Sequence, residues 1–313
     1  MLNQIKVTSL RKCIVATVLW IGALFSLPAS CLALTFIMMP DSNVVGNVQY
    51  TVVRPGDSLA TIAIRYNMGG YEMLEANPGV DYKHPQPGKR LVIPSRFVLP
   101  DTEKKGIVIN LAEMRMYYYH SDGAHVSTYP IGVGQAGWNT PLGKTQITRK
   151  RLHPTWVVPD SIMAEHIAHG QFIPKVKGPG GDNPLGNFAM NTGFTSIVIH
   201  GTPFPKAVGV RSSHGCIRMT NENAGELFNS VKVGTPVNII HQPTKIGKLD
   251  NKIYMEAHVP LSNELYAASY RDIGQMIHKT VEKTGQRYNV QWNEVERLQH
   301  RASGIPVAIG SLF

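Results

Sequence analysis

Between Gly106 and Ile240 the chain is cut into short apolar runs by glycine- and proline-rich loops, and this punctuation limits the fold more than any other feature. "GIVINL" and "MRMYYYH" lead through the turn "SDGA" into "HVSTYPIGVG", and "TPLGKTQIT", "TWVVP", "GNFAMN" and "SIVIHG" continue the series. Short runs of this kind, bounded by turn formers, are strands. No helical pattern alternates with them, which argues against a βαβ repeat and predicts a mainly β sandwich or barrel with a few helices. One helix is expected after Thr220, which can cap it. Ala224, Leu227, Phe228 and Val231 then share a face. The long insertion "KVKGPGGDNPLG" is read as loop.

A second, smaller unit precedes this region, at residues 49–95. "QYTVV" is a strand, "RPGDS" a turn with Asp57 or Ser58 as helix cap, and Leu59, Ile62, Ala63 and Tyr66 form one apolar helical face. "YEMLEANPG" supplies a second short helix stopped by Pro78 and Gly79, and "PGKRLVIP" closes with a strand. The order is βααβ. "FVLPDTEKK" (97–105) reads as a short linker to the larger region, which makes the small unit a separable tether, with packing over the larger region's site as a gate the alternative.

The N-terminus has the form of an export signal spanning residues 1–33. Lys6, Arg11 and Lys12 precede the apolar run "CIVATVLWIGALFSL", and the small residues of "PASCLA" follow, with cleavage expected after Ala33. An uncleaved membrane anchor and a lipid-modified Cys31 are the alternatives. The net charge of +10 suits attraction to an anionic polymer or surface, or ordinary solubility. The basic residues are scattered without interleaved aromatics, so no nucleic-acid partner is expected.

Of three cysteines, Cys13 and Cys31 lie in the export segment, which leaves Cys216 alone in an oxidising compartment. It stands in "SSHGCIRM", among small and polar neighbours that suit an exposed turn rather than a buried, inert thiol. Unpaired exported thiols oxidise, so a catalytic use is the simplest reason to keep one, and a thiol reductant in the same compartment becomes an expected partner. A thiol needs a base to become a nucleophile near neutral pH. His200 ends the strand "SIVIHG" and His214 stands two residues before the cysteine; from spacing alone the two are equal candidates. Gly215 lets the backbone approach a substrate, and the amides around Gly215 and Cys216 suit an oxyanion. A zinc site built from His200, His214 and Cys216 is the weaker alternative, since no second cysteine or acidic motif supports it. A Cys–His peptidase or amidase would use the same pair.

Two stretches carry family resemblances. "YTVVRPGDSLATIAIRY…EANPG…PGKRLVIP" resembles a LysM domain, which implies binding of N-acetylglucosamine-containing glycans, above all peptidoglycan. "HGTPF…VRSSHGCIRM", with "TPLGKT", "PTWVVP" and "GPGGDNPLGNFAM", resembles the L,D-transpeptidase catalytic domain of the YkuD family over residues 104–243, close to its ErfK/YbiS branch. The resemblance implies Cys216 as nucleophile and His200 as base, its ring oriented by the Gly201 carbonyl. It implies that His214 and Gly215 shape the oxyanion pocket, and that Ser213 and Arg218 hold the donor peptide. The implied reaction is a two-step acyl transfer in the periplasm. A stem tetrapeptide loses its terminal D-alanine, a thioester forms, and an amine resolves it. The amine is a diaminopimelate side chain or a lysine of an outer-membrane lipoprotein. Water would make the enzyme an L,D-carboxypeptidase, and a silent LysM wall-binding protein is the non-catalytic alternative. No metal or organic cofactor is implied. Residues 244–313 form a C-terminal extension, read as a packing appendage with helices at "LYAASYRDIGQMIHKTVEKTG" and "WNEVERLQHRASG" and a closing strand at "SGIPVAIG".

Overall fold

The computed structural model describes residues 33–261 and 272–313. The expected export signal and the first part of the expected helix at 265–285 lie outside the described residues. No helix among the described residues is long and apolar enough to cross a membrane.

The strand-rich region folds as a curled nine-stranded sheet. Its order is Leu34–Ile37, His125–Pro130, Arg115–Tyr119, Gly106–Asn110, Pro236–Ile240, Gly143–Leu152, Phe188–Thr192, Val198–His200 and Ile217–Arg218. Neighbours are antiparallel except at two places, where Gly106–Asn110 meets Pro236–Ile240 and where Val198–His200 meets Ile217–Arg218. The second parallel pair brings the histidine strand beside the cysteine segment. A short parallel pair, Val133–Gly134 with Arg211–Ser213, holds the same segment from its other end. The sheet's main core is formed by Ile109, Met116, Ile131, Ile147, Ile199, Ile217 and Val237. The helix Asn221–Ser230 closes it: the Thr220 hydroxyl accepts from the Asn223 amide, and Ala224, Leu227 and Val231 are buried, as the sequence pattern predicts.

The small unit has the expected βααβ order. The hairpin partners are Gln49–Val52 and Arg90–Ile93, and the helices are Leu59–Arg65 and Gly70–Ala76. Ser58 is the cap, exchanging hydrogen bonds with Thr61 in a capping box; Asp57 instead pairs with Arg65. The unit is not a tethered bead, however. Its core residues Leu59, Ile62, Met73, Leu91 and Ile93 belong to one continuous cluster with Val108, Tyr117, Tyr119 and Val126 of the large sheet. Phe97, Val98 and Leu99, expected in a linker, are buried, and Arg96–Val98 pairs with Val44–Gly46. The hydrophobicity of "FVL" is the signal that the proline and charges after it obscured.

The C-terminal extension makes a four-stranded sheet, Thr244–Leu249, Lys252–Ala257, Val307–Leu312 and Tyr288–Val290, covered by helices Ile273–Val281 and Trp292–Arg301. It owns a separate core of Ile253, Met255, Ile277, Val295, Leu298 and Ile309. Buried charges join it to the rest. Lys245 Nζ lies 2.7 Å from Glu113 and 2.8 Å from Glu256, and His258 bridges Glu256 at 2.8 Å and Glu75 at 2.9 Å. Glu113, Glu256 and His258 cluster closely enough to suit a cation, but the Lys245 ammonium already stands among them.

Candidate active site

His200 is the last residue of an apolar strand, and pairing on both sides fixes it: Ala189 faces it on one neighbour and Arg218 on the other. The ring is buried. Its Nδ1 lies 2.6 Å from the Gly201 carbonyl oxygen. A carbonyl only accepts, so Nδ1 carries the proton and the lone pair sits on Nε2. Burial, aided by the nearby positive charges of Arg218 and Arg151 and opposed by the Gly201 bond, lowers the imidazole pKa to about 4. The ring is therefore neutral at physiological pH. A Cβ on Gly201 would fall 2.2 Å from Asn221 Oδ1, so a side chain there would displace the Asn221 amide. Only its backbone can orient the ring.

Cys216 follows Gly215, whose φ of +95° places the chain in a conformation that side chains disfavour. The cysteine is partly exposed, and its Sγ lies 3.3 Å from the Ser196 carbonyl oxygen. Burial raises the thiol pKa, while the Val198 amide and the Arg218 charge pull it down. Val198 begins the strand that His200 ends, so the sulfur lies against the histidine's own strand. The thiol and the imidazole are thus both pushed toward their neutral forms by burial, and the segment after the cysteine pairs with the histidine's strand.

The remaining expected residues divide by where they point. Arg218 donates from Nη1 to the Ser212 carbonyl and hydroxyl at 2.9 and 3.0 Å, and its charge acts on both His200 and Cys216. The Ser213 hydroxyl, expected to face substrate, is buried and donates to the Cys216 carbonyl at 2.6 Å. His214 turns its Nε2 to Glu165 at 2.6 Å and packs edge-on against Trp138, with ring centroids 4.6 Å apart. The two histidines that spacing left equal thus differ. One has a free Nε2 lone pair on a buried ring, and the other has its Nε2 engaged by a carboxylate.

Sequence reasoning missed Glu165, Trp138 and Thr140. Glu165 lies on the helix Asp160–Ala168, which buries no residue and has no apolar face to betray it. Thr140 stands in the quoted "TPLGKT" but is separated from Gly215 by 75 positions in the chain, and its hydroxyl reaches the Gly215 carbonyl.

A curled β sheet with a histidine at a strand end beside a glycine–cysteine segment, joined to a βααβ unit, is the arrangement to compare with known proteins. The family model of the L,D-transpeptidase catalytic domain, YkuD, matches residues 104–239, and that of the LysM domain matches residues 51–94. The chain is 38% identical over 286 residues to the probable L,D-transpeptidase ErfK/SrfK of Escherichia coli K12, covering 90% of this chain and 92% of that one. It is 38% identical over 283 residues to the probable L,D-transpeptidase YbiS of the same organism, covering 88% and 92%. A third relative there, the probable L,D-transpeptidase YcfS, is 38% identical over 278 residues and covers 86% and 85%. The chain belongs to the YkuD family of L,D-transpeptidases, in the LysM-bearing ErfK/YbiS branch. It is an enzyme, which sets aside the reading as a silent wall binder, and its relatives are named for transfer rather than hydrolysis.

Proposed function

We propose that the enzyme works in the periplasm on peptidoglycan, with Cys216 as nucleophile and His200 as general base. The observation that carries this reading is the Nδ1–H bond from His200 to Gly201, which leaves a neutral Nε2 lone pair beside the cysteine segment. As a stem tetrapeptide enters, the Cys216 proton passes to His200 Nε2 and the sulfur attacks the carbonyl of the third residue. The negative charge that collects on that oxygen is met by the amides around Gly215 and Cys216. The carbon–nitrogen bond to D-alanine breaks, the proton on His200 passes to the departing amine, and a thioester remains. An acceptor amine then attacks the thioester and gives its proton to His200, and the thiolate recovers a proton.

Arg218 has one guanidinium nitrogen committed to Ser212, and its charge faces the cysteine, which suits a donor peptide ending in a carboxylate. His214, braced by Glu165 and Trp138, forms a wall of the pocket rather than the base. The acceptor is a diaminopimelate side chain or a lipoprotein lysine. The LysM unit binds the glycan. Because it shares a core with the sheet, it holds the glycan at a fixed attitude to Cys216. Cys216 is the free cysteine among the described residues, and a periplasmic thiol reductant keeps it active.

Single-turnover acylation by a soluble disaccharide tetrapeptide, followed by D-alanine release, tests the assignment. His200→Ala should slow acylation about a hundredfold or more with little change in substrate binding. His214→Ala should cost far less. The reverse order would exchange the two histidines' roles, and hydrolysed tripeptide as the main product with amine acceptors present would make the enzyme a carboxypeptidase.

A further inference from the structure

Cys216 lies between two peptide planes, and each is pinned by a side-chain hydroxyl from outside the Cys–His pair. The plane after it is held by Ser213, which donates to the Cys216 carbonyl. The plane before it is held by Thr140. The Thr140 hydroxyl lies 2.8 Å from the Gly215 carbonyl oxygen and 3.2 Å from the Gly134 amide nitrogen. A hydroxyl has one hydrogen. The Gly134 N–H must donate to it, so that hydrogen goes to Gly215. Thr140 is almost fully buried, at 1% exposure, so water does not compete for either bond. Gly134 is itself fixed, because its strand pairs with Arg211–Ser213 in register with Ser213. The threonine therefore ties the cysteine loop to a rigid ladder on the same side of the site.

The consequence follows from peptide geometry. No peptide bond among the described residues is cis, and in a trans peptide the carbonyl and the N–H point in opposite directions. Holding the Gly215 oxygen toward Thr140 turns the Cys216 N–H away from it. Glycine at 215 has the softest backbone in the segment and would let this plane rotate. We infer that Thr140 is a positioning residue for the transfer reaction: it locks the Gly215–Cys216 peptide so that the Cys216 N–H is preorganised as a donor to the oxyanion. A preset donor needs no reorganisation as charge develops, which is where such groups earn their effect on rate.

This inference rests on Cys216 being the nucleophile. Its test compares two reactions of the same thiol in the full-length protein: acylation by a disaccharide tetrapeptide, which passes through an oxyanion, and alkylation by iodoacetamide, which does not. Thr140→Val keeps the shape and removes the hydroxyl. It should slow acylation about 10- to 100-fold while alkylation stays within about twofold of wild type and its pH profile is unmoved. Thr140→Ser should restore acylation to within a few-fold. Should the valine variant not fold, Thr140→Ala replaces it with the same expectation. Undiminished acylation in the hydroxyl-free variant would overturn the inference. So would a parallel fall in alkylation, or a serine variant as slow as valine. Failure of the underlying reading looks different: the wild-type protein itself would not be acylated at Cys216.

Discussion

The LysM unit and the C-terminal extension both lean on the catalytic sheet, but through different forces. The LysM helices hand Leu59, Ile62 and Met73 to a core that runs on into Val108, Tyr117 and Tyr119. One ion pair, Arg115 with Glu72, is sealed within that apolar seam, with Nε–Oε1 and Nη2–Oε2 distances of 2.5 and 2.7 Å. The extension keeps its own core and meets the rest through buried charges, Lys245 with Glu113 beside the sheet and His258 with Glu75 of the LysM unit. An apolar seam cannot be cut without exposing a core. An ionic seam can be weakened by changing the protonation of its members. On the proposed function, the apolar seam suits a module that positions its ligand and the ionic seam an appendage that braces the fold. Helix Gly70–Ala76 makes the first role concrete. The Tyr71 amide donates to the Gly209 carbonyl at 3.0 Å, and a Cβ on Gly209 would fall 2.2 Å from Gly69 Cα. Gly209 leads directly into the strand before the cysteine loop.

The largest expected effect comes from cutting the apolar seam. Deleting residues 49–95 uncovers Val108, Tyr117, Tyr119 and Val126, all buried. At about 1.5–3 kcal/mol for each large apolar side chain exposed, the loss rivals a typical total stability of about 5–15 kcal/mol. The truncated protein should lack a cooperative thermal transition by circular dichroism. A truncated protein that melts within a few degrees of full length would restore the picture of a separable tether.

A smaller effect is expected at the ionic seam, and its sign is set by His258. Burial opposes its charge, but Glu75 and Glu256 overcome that and push its pKa up to about 10, from an ordinary 6.5. Its contribution is therefore complete below pH 6.5 and lost as pH rises toward 10. Glu113 acts in the same direction, because burial outweighs Lys245 and raises its pKa, which favours the folded state at lower pH. Glu256 is held down at about 2, burial notwithstanding, by Lys245 and His258, so its share is present above 4.5 and fails only in strong acid. Full-length protein should lose on the order of a few kcal/mol between pH 6.5 and 10, and His258→Gln should flatten that slope. An unchanged slope in the variant would remove the seam from the pH response.

The chain's local grammar predicted what local forces build. The βααβ unit, the Thr220-capped helix and the strand ending at His200 are each set by periodicity and caps within a dozen residues. The contacts that turn those pieces into one body are non-local and left no such mark. Leu34–Ile37 pairs with His125–Pro130 across the whole LysM unit, and nothing in "LTFI" names its partner. The histidine pair shows the same limit: spacing could not rank His200 and His214, because their tautomers depend on Gly201 and on Glu165, the latter 49 residues away. Thr140 was hidden for the same reason.

The central claim is that Cys216 carries the acyl group. Intact-protein mass analysis after mixing with a disaccharide tetrapeptide, without acceptor, tests it most directly. The account predicts an adduct equal to the substrate less D-alanine, mapped to the peptide containing Cys216 and absent from Cys216→Ala. D-alanine released by Cys216→Ala at the wild-type rate, or an adduct mapped to another residue, would contradict it.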